Sequence, residues 1–216
     1  QLWSETRKQS TIHTKIRRNK MGMDVYGIKP KQNKEIDKFP TLYKYDSMEF
    51  REKWKLLDKD TKLRETYWLE KDDYEQQNPG CYFRNNCWWW RPLWNYCYAV
   101  APNLIDEETF EHGHGNSGAG LDDKGAKLLG EKLLKQIKIG ATFQYQVDYE
   151  QYLMDLPDDD CMRCNNNNHG NNKKKDCINC KKTGKSTNFN KHYPFDIDNV
   201  KEFAEFCIQS GGFEIN

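Results

Sequence analysis

Hydrophobic and polar positions recur along this chain in a few clear periods. The clearest lies between Asp122 and Gly140, where Ala126, Leu129, Leu133 and Ile137 fall at helical spacing. Asp122 suits the N-cap of that helix and Gly140 its C-terminal end. Val200, Phe203, Ala204 and Cys207 follow the i, i+3, i+4, i+7 pattern, so a last helix is predicted from Asp196 or Asp198. Ser210-Gly211-Gly212 ends it, and Phe213-Glu214-Ile215 reads as a closing strand. Earlier in the chain, Asp46 or Ser47 suits the cap of a helix with Phe50, Trp54 and Leu57 on one face. Thr61 suits the cap of a second, carrying Leu63, Tyr67 and Tyr74 and stopped by Asn78-Pro79-Gly80. Tyr149, Tyr152, Leu153 and Leu156 mark another after Thr142, ended by Pro157. Residues 24 to 28 read as a short strand. Lys29 to Lys44 reads as a polar connection broken by Pro30 and Pro40.

The stretch from Asn78 to Ala101 is where the core is expected. It holds Trp88, Trp89, Trp90 and Trp94, together with Cys81, Cys87 and Cys97. Alternation predicts a strand from Cys81 to Trp90, aromatic on both faces. Pro92 suits the first position of a helix, and Leu93, Cys97 and Val100 then recur at helical spacing until Pro102. Buried indole and phenol groups need hydrogen-bond partners, and Arg84, Asn85, Asn86 and Arg91 are the nearest suppliers in sequence. The same four residues also suit a pocket binding an anion or a base, which would fit an enzyme of unknown substrate. Taken together, the periods predict an α+β fold: a single compact domain over residues 21–216 with short strands and four to six helices.

Composition narrows the function. Lys and Arg number 34 against 33 Asp and Glu, so the net charge of +1 gives no global field toward nucleic acid or membrane. No apolar run approaches the roughly 20 residues a membrane helix needs. Residues 1–20 differ from the rest, with Arg7, Lys8, Lys15, Arg17, Arg18 and Lys20 against Glu5. They read as a disordered tail or upstream translation, with a basic transit-like or nucleic-acid-binding arm as the alternative. A cytoplasmic setting is expected from the cysteine usage.

Half of that usage sits in two pairs. Cys161-x2-Cys164 and Cys177-x2-Cys180 have the spacing of two knuckles that close a four-thiolate shell around Zn2+. Four thiolates leave no open coordination position, so the ion is structural. Two disulfides, free thiols or a redox pair are the competing readings, and His169 is a spare ligand between the knuckles. The hairpin, residues 158–191, has little to bury, so metal binding must supply its order. Lys173, Lys174 and Lys175, with Arg163, Lys181, Lys182, Lys185 and Lys191, make it basic and suited to phosphates, or simply a solvated tip. Elsewhere His112 and His114, with Glu111, Asp122 and Asp123, offer a weaker metal or acid–base set. Another protein is a further candidate partner, through an exposed tryptophan surface.

The knuckles resemble the CxxCxGxG repeats of the DnaJ-type zinc domain. Cys177 to Gly184 keeps the CxxC and the second glycine, with Lys182 in place of the first; after Cys164 both glycines are Asn. The remainder resembles a group of uncharacterised phage and bacterial proteins through MGMDVYG at 21–27, YFRNNCWWWRPLW at 82–94, NSGAGLDD at 116–123 and FAEFCIQSGGFEI at 203–215. That resemblance implies a compact family fold, a phage-encoded chain in a host cytoplasm, and Met21 as the start; an accessory binding role is expected instead from the closed metal shell, the basic tip and the lack of a catalytic constellation.

Overall fold

The computed structural model describes residues 22–165 and 177–216. The expectations for residues 1–20, and those for His169 and Lys173 to Lys175, lie outside them.

A four-stranded antiparallel sheet carries the main body. β1 (Gly22–Gly27) lies between β2 (Tyr82–Asn86) and β6 (Phe213–Ile215), and β3 (Ala119–Leu121) completes the order β2-β1-β6-β3. The first and last strands of the described chain are therefore neighbours, with Val25 opposite Ile215. Side chains alternate across β1: Met23 and Val25 are buried, whereas Asp24 and Tyr26 face out. On the inner face lie three helices, α4 (Cys87–Val100), α6 (Asp123–Lys138) and α9 (Ile197–Gln209), with α7 (Ala141–Asp155) packed beside them. Phe203, Phe206 and Phe213 cluster with Phe83 between helix and sheet. This is the α+β architecture that the periods predict.

The central stretch departs from its expected boundaries. The strand stops at Asn86, and α4 starts at Cys87 rather than at Pro92. The cause is local: Asn86 Oδ1 accepts the backbone N–H groups of Trp88 and Trp89, capping the helix five residues earlier. Pro92 then lies inside the helix, where it lacks the N–H that would bond back toward Trp88. Trp90, Leu93, Trp94 and Cys97 share the buried face at helical spacing. Trp90 and Trp94 stack at 5.5 Å between ring centroids. Their indole N–H groups do not use the neighbouring Arg and Asn side chains. They donate instead to the carbonyls of Gly113 (2.7 Å) and Phe110 (3.0 Å). The segment from Asp106 to Gly113 is thus a clasp over the tryptophans, and it includes α5 (Glu107–His112), capped by Asp106.

A second small core sits apart from the first. α1 (Pro40–Asp46), α2 (Phe50–Leu57) and α3 (Thr61–Gln77) enclose Phe39, Leu42, Tyr45, Leu57 and Tyr67, with Trp54 and Trp68 against them. Pro40 does not break this segment; it occupies the first turn of α1, where its missing N–H costs nothing. Glu49, not Asp46 or Ser47, caps α2; Asp46 ends α1, where it accepts from Tyr67 Oη (2.6 Å) and Lys53 Nζ (3.0 Å). Asn78 ties the end of α3 to the segment that leads into this unit. Its amide oxygen accepts from the backbone of Asn33 and Lys34, and its amide nitrogen donates to the carbonyls of Lys34 and Tyr74. Such saturation suits a side chain with no exposed surface.

Nine α-helices occur among the described residues, against four to six expected. The additional ones are short, α1, α5 and α8 (Met162–Asn165), and too brief to show a period.

Candidate metal centre

The hairpin is built from its base upward. β4 (Asp159–Asp160) pairs antiparallel with β5 (Lys185–Ser186). The acid run before the knuckles is consumed in fixing this base. Asp159 accepts from the Asn188 amide (2.9 Å) and the Phe189 N–H (2.8 Å), and Asp160 pairs with Lys185 at 2.6 Å. Asn188 also donates to the Pro157 carbonyl, closing the neck where the hairpin leaves the main body. Nothing in the periodicity marked these carboxylates as structural; only the strand pairing brings their partners within reach.

Above the base the chain turns sharply twice. After Cys161 it enters α8, whose first turn carries Cys164, and Cys164 N–H bonds to the Cys161 carbonyl at 2.9 Å. After Cys180, Lys181 and Lys182 take left-handed φ values of 48° and 77°, and Gly184 one of 78°. The left-handed geometry that the absent glycine would adopt with ease is therefore kept by Lys182. It lets the Gly184 N–H reach Cys180 Sγ at 3.3 Å, while Cys161 N–H bonds to the Gly184 carbonyl at 2.9 Å.

These turns bring the four sulfurs together. All four lie within 4.8 Å of one another. Cys161 Sγ and Cys177 Sγ are 3.8 Å apart, and Cys164 Sγ and Cys180 Sγ 3.5 Å. A disulfide needs about 2.05 Å between sulfurs, so these pairs are thiols. A tetrahedron with metal–sulfur bonds of about 2.3 Å has edges of about 3.8 Å. The donor set fits a divalent ion with soft-ligand preference.

The electrostatics agree with that geometry. Burial pushes the Cys161 thiol up, but the N–H groups of Cys164 and Arg163 outweigh it and hold the thiol below its ordinary value. The Cys180 N–H, acting against burial, brings Cys177 down to about 6. Cys164 moves the other way: burial and the neighbouring sulfurs push it up to about 12. Sulfurs held toward the thiolate are the form in which cysteine binds a metal ion.

The other residues singled out from sequence do not converge. Arg84 pairs with Asp24 (3.4 Å) on the outer face of the sheet. Asn85 donates to Asn199 Oδ1 (2.7 Å), tying β2 to α9. Asn86 is the cap of α4, and Arg91 donates to Tyr193 Oη (2.9 Å) while lying 5.6 Å over its ring. His112 is exposed at the end of α5. His114 is half-buried against the edge of Phe110 (4.8 Å), its Nδ1 buried without a partner among the described residues. Burial, and then the Arg91 charge, lower its pKa. Asp122 caps α6. Among the described residues the four cysteines are the one group of His, Cys, Asp or Glu side chains placed to hold a metal. Cys97 is a core thiol pushed up by burial. No helix of the described residues is long and apolar enough to cross a membrane.

One feature of the surface escaped the sequence. An open groove of about 520 Å³ lies at the start of α4, lined by Asn86, Trp88, Trp89, Phe189, His192 and Pro194. Its two walls are a hundred residues apart in the chain, so no local pattern could join them.

No protein-family model matches this chain, and neither a curated protein nor a solved structure matches it.

Proposed function

We propose that the four cysteines hold one Zn2+ as a structural ion, and that the chain is a non-enzymatic accessory binding protein whose basic hairpin contacts nucleic-acid phosphates. The carrying observation is the sulfur geometry, two edges of 3.5 and 3.8 Å in a cluster closed on all sides by protein sulfur. Such a shell has no position for a substrate or an activated water, which assigns the ion to folding rather than chemistry. Four thiolates in a tetrahedral set favour zinc over oxygen-preferring cations.

The phosphate contact rests on charge placement. Arg163, Lys181 and Lys182 are exposed on the knuckles, and among the described residues no acid pairs with them. Lys185 and Lys191 are held back at the base by Asp160 and Asp158. Elemental analysis of the purified chain should return one zinc per molecule, and a titration of nucleic acid against salt should show affinity falling steeply as salt rises. Absence of zinc removes the whole proposal. Zinc without any binding at low salt removes the nucleic-acid part alone.

A further inference from the structure

The groove at the start of α4 carries a further reading, which rests on the phosphate-contact proposal and sharpens it. We infer that this groove takes the unstacked bases of a single-stranded nucleic acid, with Trp88 and Phe189 as the stacking surfaces and the hairpin as the phosphate track.

The ring arrangement is the first reason. Trp88 lies 5.2 Å from Phe189, 4.9 Å from Tyr193 and 6.0 Å from His192, at interplanar angles of 62°, 49° and 67°. None of these contacts is a parallel stack. Phe189 is 57% exposed. A large aromatic ring held at the surface beside a tryptophan is not explained by core packing, and planar bases are the ligands such a platform suits.

Polar groups line the same wall. Asn86 spends its oxygen on the helix cap. Among the described residues its amide N–H groups, and the indole N–H groups of Trp88 and Trp89, make no hydrogen bond.

Charge and continuity are the second reason. Phe189 and His192 lie on the 3-10 turn (Phe189–His192) that follows directly from the hairpin. The Phe189 N–H is bonded to Asp159, which ties the stacking wall to the hairpin base. The exposed Arg91 is held over Tyr193, next to His192 of that turn. In the hairpin base Asp158, Asp159 and Asp160 are engaged with Lys191, Asn188 and Lys185. The aromatic wall thus continues into a hairpin whose exposed Lys181 and Lys182 suit an anionic strand. A duplex keeps its bases stacked inside and cannot use that groove, which is why the ligand is single-stranded.

Binding of the zinc-loaded full chain to an oligothymidylate of about 12 nucleotides tests this, a length within the usual range of single-strand sites. The comparisons are an abasic strand of equal length and a duplex, with tryptophan fluorescence and anisotropy as readouts. The thymidylate strand should quench tryptophan and bind about tenfold tighter than the abasic strand or the duplex. Trp88→Ala and Phe189→Ala should each erase most of that preference. Phe189→Ala is the safer variant, since its ring is exposed, and its near-UV spectrum reports whether the fold persists. Lys181→Ala with Lys182→Ala should instead weaken all three ligands alike. Equal binding of abasic and thymidylate strands, or a preference untouched in folded Phe189→Ala, overturns the groove assignment and leaves the hairpin contact standing. No binding of any of the three at low salt overturns both. Gly22 pairs with Asn86 on the groove wall, so a peptide of residues 1–20 is the remaining probe. Quenching by that peptide and not by the oligonucleotide makes the groove a peptide seat and overturns the inference.

Discussion

The backbone N–H of Gly184 points at the sulfur of Cys180 across 3.3 Å, and the carbonyl of the same glycine receives the N–H of Cys161. One residue thereby links the two knuckles. Thiolates gathered at the distances of this cluster repel one another unless a cation lies between them. Stripping the metal with a chelator should therefore release the hairpin while the tryptophan core stays intact. Hydrogen exchange checks this: amides of Cys161, Thr183 and Gly184 should lose protection, and those of α6 and α9 should keep it. Protection unchanged by chelation would show that the cluster stands without an ion.

Lys182 holds a left-handed backbone where glycine would sit without strain. A non-glycine residue in that region costs roughly 1–2 kcal/mol. Lys182→Gly should therefore stabilise the metal-bound hairpin by about 1 kcal/mol, part of the gain being offset by glycine's freedom in the unfolded chain. Competition against a zinc chelator measures it, as about a fivefold rise in metal affinity. The same change removes one exposed cation, so phosphate binding should fall even as zinc binding rises.

Gly113 allows the tryptophan clasp to close. Its carbonyl takes the Trp90 indole N–H, and a Cβ on it would lie 2.4 Å from Trp94 Nε1 and 2.5 Å from Trp94 Cε2. Both contacts are with a fully buried, stacked ring that cannot swing away. Gly113→Ala should destabilise the chain by about 1–3 kcal/mol, the usual range for overpacking a filled core. Chemical denaturation followed by near-UV circular dichroism reads the loss.

Asp46 gives the helical unit a dependence on pH. Burial raises its pKa, but hydrogen bonds from Tyr67 and Lys53 and the Lys53 charge outweigh burial and leave it below the ordinary carboxylate value. A carboxyl depressed in the folded state binds its proton more readily when unfolded. Its stabilisation is thus complete above the unfolded value, near about 4, and is lost as pH falls through the folded one. Acid titration of wild type should loosen the Trp54 and Trp68 environment at low pH. Asp46→Asn should lack that component of the acid limb and be less stable than wild type at neutral pH. A wild-type acid limb identical to that of the variant would show that the pairing contributes nothing.

Long elements with a full hydrophobic period were readable. Asp122 before Ala126, Leu129 and Leu133, and Asp196 before Val200, Phe203 and Cys207, give cap and stripe together, and both helices begin there. The central stretch was misdivided because aromatic residues satisfy a strand period as readily as a helical one. The decision passed to Asn86, whose cap geometry no composition reveals. The short helix after Pro40 was missed because a proline at a first turn and a proline in a break look alike in sequence.

The sequence by itself determined which sulfurs pair in each knuckle, since two residues between cysteines bring both to one side of a turn whatever surrounds them. It also determined the buried faces of the long helices, because burial of a stripe is a local consequence of the helical period. Only the tertiary structure decided that the acid run anchors the hairpin neck, that Gly113 and Phe110 satisfy the indoles, and that Trp88 meets Phe189 across a groove. Those partners are joined by strand pairing and helix packing between distant segments, and the contact energy that selects them exists only once the chain has folded.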